Sequence, residues 1–231
     1  MKWRSLDEAA PEVGTHPLRE IYAERRDLIA KYVPAETQTI HARAVAELKE
    51  KRLAETALAV GAKAPAFELK DHNGKPISSV ELLAKSRLVI CFIRGRWCPF
   101  CVAQMEAMNL ILPQIAEAGA MLAGISPQSV QQSFFMHDQH KLQFPLLSDA
   151  GNQVARRFGL AYRVPEYQQA LYKRVFINLP HVNEDQNWEL PIPATYILDR
   201  EGTVLYVSAD EDYMVRPEPV GIVEKLRSFP P

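Results

Sequence analysis

The sequence predicts an α/β fold in which a central mixed β-sheet is flanked by helices. After residue 61, short apolar runs typical of strands alternate with helical segments, which is the pattern of βα units. Residues 88–93 form a continuous apolar run, as expected for a strand that is covered on both faces. Two more strands joined by a short turn, and then a helix, close the chain and add an antiparallel hairpin to the sheet.

Two helical segments come first along the chain. Residues 1–15 are polar and are predicted to form a loose terminus. From Leu18 the apolar residues keep helical spacing until Pro34 ends the run. A second helical stretch, rich in Ala, Glu, Lys and Leu, covers roughly residues 39–58.

A break at Gly61 and Pro65 divides the chain into two parts. Residues 1–60 are predicted to form an N-terminal helical extension, and residues 61–231 the α/β domain. All residues with an evident chemical role fall in the second part. We interpret the extension as a packing or dimerisation element, so a homodimer is one expected assembly.

The elements of the α/β domain follow from apolar runs separated by turn residues. Turn-forming residues at 71–74 and 199–202 end the strands before them. Residues 160–190 are interpreted as an irregular, polar insertion in which Tyr167 and Trp188 help to shape a site. Strands are predicted at residues 66–70, 88–93, 119–125, 144–147, 194–198 and 204–208, and helices at residues 78–83, 98–118, 127–136, 149–159 and 218–228.

Composition indicates an ordinary globular chain and excludes some partners. The chain has 231 residues, 47% of them hydrophobic and 24% charged, with a net charge of -1. This balance gives no electrostatic basis for binding nucleic acid or an anionic membrane, so neither partner is expected. The first residues lack the apolar stretch of a signal peptide, and no run approaches ~18 apolar residues, so the cytoplasm is the expected compartment.

The chemistry is concentrated in two cysteines, Cys98 and Cys101, which lie where the apolar strand gives way to a long helix. Pro99 suits the first turn of that helix, where no helical hydrogen bond is lost. The helix start and the upstream Arg94 and Arg96 supply positive potential, which is expected to lower the pKa of Cys98 from ~8.5 to between ~4 and ~7. Cys101, one turn later, is expected to be less exposed and to act as the resolving thiol.

Other interpretations of the cysteines are weaker. Two cysteines at this spacing can form half of a zinc site, but the sequence has no second pair, and its histidines show no ligand spacing, so no metal is expected. Cys91 lies in the middle of the apolar strand and is interpreted as an inert core thiol. If the strand alternation continues past it, Arg94 and Arg96 lie on the same face and share a role.

The run Trp97-Cys98-Pro99-Phe100-Cys101, with the strand before it and residues 192–199, resembles a known family. It is similar to peroxiredoxin-like proteins of the alkyl hydroperoxide reductase/thiol-specific antioxidant family, in the subgroup with a Cys-Pro-aromatic-Cys motif. The similarity runs from about residue 61 to residue 229, and it implies a thioredoxin-like fold.

The resemblance also implies a function. Cys98 is expected to reduce peroxides. Cys101 is then expected to act as the resolving thiol and to form an intramolecular disulfide with the oxidised Cys98. A thioredoxin-like protein or a low-molecular-weight thiol would then reduce that disulfide, and no cofactor is expected. Trp97 and Pro99 are expected to support the two cysteines.

Some features of typical peroxiredoxins are absent. Those proteins place Thr or Ser three residues before the reactive cysteine and Pro seven before it, whereas this chain has Gly95 and Cys91. They also place an Arg before a strand of Ser-Thr-Phe type, where this chain has Pro193. Because these groups hold the peroxide oxygens, we expect Arg94, Arg96 or the Thr195 hydroxyl to replace them.

Pro193 instead resembles the cis-proline that faces the dithiol in thioredoxins and glutaredoxins, so a cis bond is predicted there. In those proteins the preceding residue, here Ile192, offers backbone hydrogen bonds to an incoming disulfide. This likeness favours an alternative function, that of a thiol–disulfide oxidoreductase acting on protein or glutathione disulfides. A third possibility is a redox sensor that presents residues 16–58 to a partner without turnover.

Overall fold

The computed structural model describes Gly14 and residues 16–230, so the loose terminus predicted at residues 1–15 lies outside the described residues apart from Gly14. The helices are α1 Leu18–Tyr32, α2 Ala35–Glu50, α3 Ser79–Lys85, α4 Pro99–Leu110, α5 Leu112–Glu117, α6 Val130–Gln139, α7 Gln153–Arg157, α8 Glu166–Arg174, α9 Leu179–Asn183 and α10 Pro219–Ser228. The strands are β1 Glu68–Asp71, β2 Pro76–Ser78, β3 Arg87–Phe92, β4 Ala120–Ser126, β5 Leu146–Ser148, β6 Ala161–Arg163, β7 Glu189–Pro191, β8 Ala194–Leu198 and β9 Val204–Ala209.

Seven of these strands form one mixed sheet in the order β2-β1-β5-β4-β3-β8-β9. The pairs β3–β4 and β4–β5 are parallel, whereas β8 is antiparallel to both β3 and β9. The central strand β3 is buried along its whole length. Val89 and Cys91 contribute to the core on one face of the sheet, and Leu88, Ile90 and Phe92 to the core on the other. The predicted α/β architecture and the doubly covered strand are therefore confirmed.

Residues 160–190 are not an irregular insertion, so that expectation is wrong. They contain β6, α8, α9 and β7, and β6 pairs with β7 as a separate two-stranded sheet. The segment orders because its apolar side chains form a small core of their own. The buried members of that core are Val164, Tyr172, Leu179 and Leu190.

Two of the predicted helices differ clearly from the observed ones. The helix after the cysteines ends at Leu110, and a separate helix, with Pro113 in its first turn, follows. A proline there cannot donate the backbone hydrogen bond that would continue α4. In the extension, α2 begins directly after Pro34 and ends at Glu50, and the predicted remainder forms a turn of 3₁₀ helix at Leu53–Thr56.

The two helices of the extension pack on the α/β domain. In α1, Leu18, Ile21 and Tyr22 are buried, and the Tyr22 hydroxyl donates a 2.6 Å hydrogen bond to the Phe100 carbonyl in α4. The first backbone N–H groups of α1 donate to the Glu218 carboxylate, with the nearer oxygen 2.6 Å away. Helix α1 therefore covers the start of α4, the helix that carries both cysteines of interest. In the described part of the chain, no helix is both long and apolar enough to span a membrane.

Replacing Gly159 with Ala is expected to lower the free energy of unfolding by about 3 kcal/mol or more. Gly159 has φ +72°, and an added Cβ would lie 1.9 Å from the Thr56 carbonyl oxygen, so backbone strain and a backbone clash add together. Urea denaturation measures the change. Gly74→Ala is the matched control, because Gly74 has φ +79° but nothing within 4 Å of an added Cβ. Equal losses in the two variants would contradict the close approach of Thr56 to Gly159.

Candidate active site

Cys98 and Cys101 lie at the start of α4, as the sequence predicts. Cys98 is the N-cap residue, and its carbonyl accepts the Val102 N–H at 3.1 Å, which begins the helical hydrogen bonding. Both cysteines are free thiols, and their exposed fractions are only 2% for Cys98 and 0% for Cys101. The arrangement places two sulfurs together in a buried setting at the positive end of a helix.

The polar contacts of the pair favour a negative charge on Cys101. Its sulfur accepts the backbone N–H of Arg94 at 3.4 Å and lies 3.7 Å from Nη2 of Arg216. Burial alone would raise the pKa of Cys101. The hydrogen bond from Cys98 and the charges of Arg216 and Arg94 outweigh it and lower this pKa to about 5.

The expected lowering of the Cys98 pKa is not found. Burial, and then the neighbouring Cys101 sulfur, raise the pKa of Cys98 well above its ordinary value. The helix start and the arginines do act on the pair, but the sulfur that they stabilise as a thiolate is that of Cys101. Near neutral pH, the pair therefore holds one thiolate and one thiol that share a proton.

Arg94 is the buried cation of the site. Its side chain is 2% exposed, and its guanidinium carbon lies 4.8 Å from the centre of the Trp97 ring and 4.4 Å from that of Tyr213. Its Nη2 donates a hydrogen bond to the Tyr172 hydroxyl. Within residues 16–230, no carboxylate forms an ion pair with Arg94. Because a guanidinium stays charged, the thiolate of the cysteine pair is the anion that balances it.

Arg96 has a different environment, so the prediction that it shares a face and a role with Arg94 is wrong. Arg96 is exposed, and its Nε donates to Gln132 Oε1 at 2.6 Å. The alternation stops because β3 ends at Phe92 and the chain then turns at Gly95, which has φ +139°. Arg96 points toward α6, whereas Arg94 points into the core.

Thr195 is tied into the sheet. It lies opposite Cys91 in the β3–β8 ladder, with 3.8 Å between its Oγ1 and the Cys91 sulfur, and its Oγ1 accepts from Gln104 Nε2 at 3.2 Å. Gln104 Oε1 in turn accepts from Arg216 Nε at 2.9 Å, so Thr195 reaches the cysteine pair only through these two residues. Cys91 is fully buried, and burial raises its pKa to about 12, in agreement with an inert core thiol.

The predicted cis bond before Pro193 is wrong, because no peptide bond is cis in the described part of the chain. The backbone at this position is held by neighbouring segments instead. The Ile192 N–H donates to the Leu160 carbonyl at 2.9 Å, and the Pro193 carbonyl accepts from the Asp210 N–H at 3.3 Å. These two groups are already bonded within the chain, so they do not offer an edge to an incoming disulfide.

A cavity of about 630 Å³ lies beside the cysteines, between α1 and the start of α4. Trp97 and Pro99, the residues on either side of Cys98, line one wall, and Leu28 and Tyr32 of α1 line another. A molecule in this cavity therefore contacts the residues on either side of Cys98. In the part of the chain that is described, no cluster of three or more His, Cys, Asp or Glu residues is suited to a metal ion.

The sequence analysis missed four side chains of this site, namely Gln104, Tyr172, Tyr213 and Arg216. Each contacts Arg94 or Cys101, directly or through one neighbour. No spacing in the sequence relates Tyr172, Tyr213 or Arg216 to Cys98, since all three come from segments far along the chain. The aromatic residues within 160–190 are the one feature that could have drawn attention to Tyr172.

A family model described as the AhpC/TSA family matches residues 60–207. The chain belongs to the AhpC/TSA family. Among curated relatives, a chloroplastic peroxiredoxin Q of Sedum lineare is 31% identical over 147 residues, which are 64% of this chain and 67% of that protein. A chloroplastic peroxiredoxin Q of Suaeda salsa is also 31% identical over 64% of this chain, but the match spans only 58% of its own length.

The fold also occurs in solved structures. The peroxidoxin BcpB of Mycobacterium tuberculosis superposes with a TM-score of 0.60 and 22% identity, covering 75% of this chain and 99% of that one. The similarity confirms the predicted thioredoxin-like α/β fold. The family match begins at residue 60, so α2 and α1, the helix that covers the start of α4, lie before the matched segment.

Proposed function

We propose that this member of the AhpC/TSA family is a thiol-dependent peroxidase with Cys98 as the attacking thiol and Cys101 as the resolving thiol. One observation carries the proposal: two buried free thiols lie together at a helix start, where the Cys101 sulfur accepts the Arg94 N–H, beside a buried arginine side chain that has no carboxylate partner among the described residues. Such a site favours a thiolate, the reactive form of cysteine. The peroxiredoxin names of the relatives support the same chemistry.

Cys98 is assigned the attack because of its position. Both of its neighbours, Trp97 and Pro99, line the cavity, and Cys98 is 2% exposed whereas Cys101 is fully buried. The Cys101 thiolate accepts the hydrogen bond of the Cys98 thiol and can take its proton as the attack begins. Cys101 therefore serves as the general base that the sequence did not reveal.

The reaction balances with these groups alone. A lone pair of Cys98 sulfur attacks one peroxide oxygen, the O–O bond breaks, and the leaving alkoxide or hydroxide takes the proton held by Cys101. Cys98 is now a sulfenic acid, and Cys101 is again a thiolate. Cys101 attacks the Cys98 sulfur and expels hydroxide, which a solvent proton converts to water. In total, one dithiol monoanion reacts with one peroxide and one proton. The products are one disulfide, one alcohol or water from the leaving oxygen, and one further water.

The cycle closes when two external thiol groups reduce the Cys98–Cys101 disulfide. A thioredoxin-like protein supplies both thiols from one molecule, and a low-molecular-weight thiol supplies them from two. Either reductant must reach a pair that α1 partly covers through its contact with Phe100. The proposal includes this class of reductant and does not depend on which member of it acts.

Stopped-flow mixing of the reduced protein with hydrogen peroxide, followed by tryptophan fluorescence, tests the proposal. We expect a second-order rate constant at least about a hundredfold above that of free cysteine at the same pH, because the site stabilises the developing charge. Glutathione disulfide is the matched comparison. A peroxide rate close to that of free cysteine, together with fast reduction of glutathione disulfide, would instead establish thiol–disulfide exchange.

A further inference from the structure

Breaking the O–O bond places negative charge on the leaving oxygen, and hydrogen-bond donors that stabilise this charge are a large part of catalysis. Two of the three residues expected from the sequence to supply a donor are engaged elsewhere. Arg96 is exposed and bonds to Gln132, and Thr195 is buried in the sheet beside Cys91, where it accepts a hydrogen bond from Gln104 of α4. The donors for the peroxide must therefore come from other groups near Cys98.

Two N–H groups beside Cys98 are available. Nε1 of Trp97 and Nε of Arg94 are both buried, and neither makes a hydrogen bond to any described atom of the chain. Buried N–H groups are paired in the great majority of cases, so two exceptions at one place call for an explanation. The guanidinium of Arg94 lies 4.8 Å from the Trp97 ring, which puts both groups in the same small region.

Gly95 explains how the indole reaches this place. Its φ of +139° is a conformation that residues with a side chain rarely adopt. A Cβ added at Gly95 would lie 2.8 Å from Nε1 of Trp97, too close for any side chain. The indole N–H therefore lies where the Cβ of a larger residue, such as threonine, would lie at position 95.

We propose that the Trp97 Nε1–H and the Arg94 Nε–H donate hydrogen bonds to the oxygens of the bound peroxide. As Cys98 attacks the nearer oxygen and the O–O bond breaks, these two donors stabilise the charge on the departing oxygen until the proton from Cys101 arrives. The inference rests on the proposed peroxidase function. It makes Trp97 a catalytic residue in addition to a neighbour of the nucleophile.

Replacing the indole of Trp97 with its sulfur isostere, by incorporating benzothienylalanine, removes the N–H and keeps the shape. We expect the rate constant with hydrogen peroxide to fall on the order of 100-fold, which is typical for the loss of one such donor. The rate of alkylation by iodoacetamide is expected to stay within about twofold, because alkylation develops no charge on oxygen. Trp97→Phe is expected to give the same pattern.

The outcomes separate this inference from the proposed function. If the unmodified protein reacts with peroxide no faster than free cysteine does, the peroxidase function itself fails. If the isostere keeps the peroxide rate of the unmodified protein, the function stands and the role of Trp97 is wrong. Equal losses in the peroxide and iodoacetamide rates would also overturn the inference, since they would mean that Trp97 only positions Cys98.

Discussion

The Cys98→Ser variant is expected to lose peroxide reduction completely, whereas Cys101→Ser is expected to allow a single oxidation. Without Cys98 the proposed nucleophile is absent, and the remaining thiol of the pair, Cys101, is fully buried. Without Cys101, Cys98 still forms a sulfenic acid, but more slowly by on the order of 10²-fold, because its general base is lost. Turnover is measured as peroxide consumption with a thiol reductant, and sulfenic acid as a dimedone adduct by mass spectrometry.

Cys91→Ser is the matched control for these two variants. Cys91 is fully buried in β3 and contacts Thr195, so its loss is expected to lower the free energy of unfolding while sparing turnover. A different result would reassign the roles. If Cys98→Ser still gave one dimedone adduct and Cys101→Ser gave none, Cys101 would be the nucleophile, in line with its lowered pKa.

Arg94→Met is expected to raise the pKa of the thiolate from about 5 by about 2 units, because one of the two positive charges that lower this pKa is lost. Methionine is flexible and apolar, so it suits the space between Trp97 and Tyr213. Below pH 7 the thiolate fraction, and with it the peroxide rate, then falls by up to about 100-fold, and part of the rate returns as the pH is raised. Thiolate absorbance at 240 nm, followed against pH, gives the midpoint directly.

Arg96→Met is the control for this experiment, since Arg96 is exposed and bonds to Gln132 rather than to the cysteines. The free energy of unfolding is expected to change with pH as the Cys101 thiol titrates. The folded pKa lies below the unfolded one, so the thiolate's contribution to the free energy of unfolding is complete above the ordinary pKa of ~8.5 and is lost as the pH falls through about 5. A thiolate midpoint that stays near 5 in Arg94→Met would show that Arg216 and the helix start are sufficient to lower the pKa of Cys101.

The local part of the site could be predicted from the sequence. Cys98, Pro99 and Cys101 follow directly after an apolar strand, and adjacent residues fix the start of a helix whatever the rest of the chain does. The burial of Cys91 also followed from its place in a continuous apolar run. These predictions needed only neighbours along the chain, which explains why the structure agrees with them.

The parts that depend on distant segments could not be predicted. Tyr172 meets Arg94 only because residues 160–190 fold into a small core of their own. Arg216 reaches Cys101 from the segment between β9 and α10, more than a hundred residues along the chain. The charge distribution between the two thiols depends on these tertiary contacts, so the sequence analysis assigned the lowered pKa to the wrong cysteine.

Two errors arose because a pattern was applied outside the setting in which it holds. The alternation of β3 was carried on to Arg96 although the strand ends at Phe92 and the chain turns at Gly95. A cis bond was predicted before Pro193 because this residue resembles the cis-proline of thioredoxins and glutaredoxins. Here the Ile192 N–H and the Pro193 carbonyl already have partners in neighbouring segments.

The buried Arg94 also bears on the redox poise of the protein. When the two cysteines join as a disulfide, the thiolate disappears and the guanidinium is left without a counter-charge in a low-dielectric setting. Oxidation therefore costs more here than in a neutral core, and each pKa unit by which the thiolate is stabilised below the working pH raises the reduction potential of the couple by about 30 mV. We expect cellular thiols to reduce this disulfide readily, so that the protein is in the reduced form before it reacts with its oxidant.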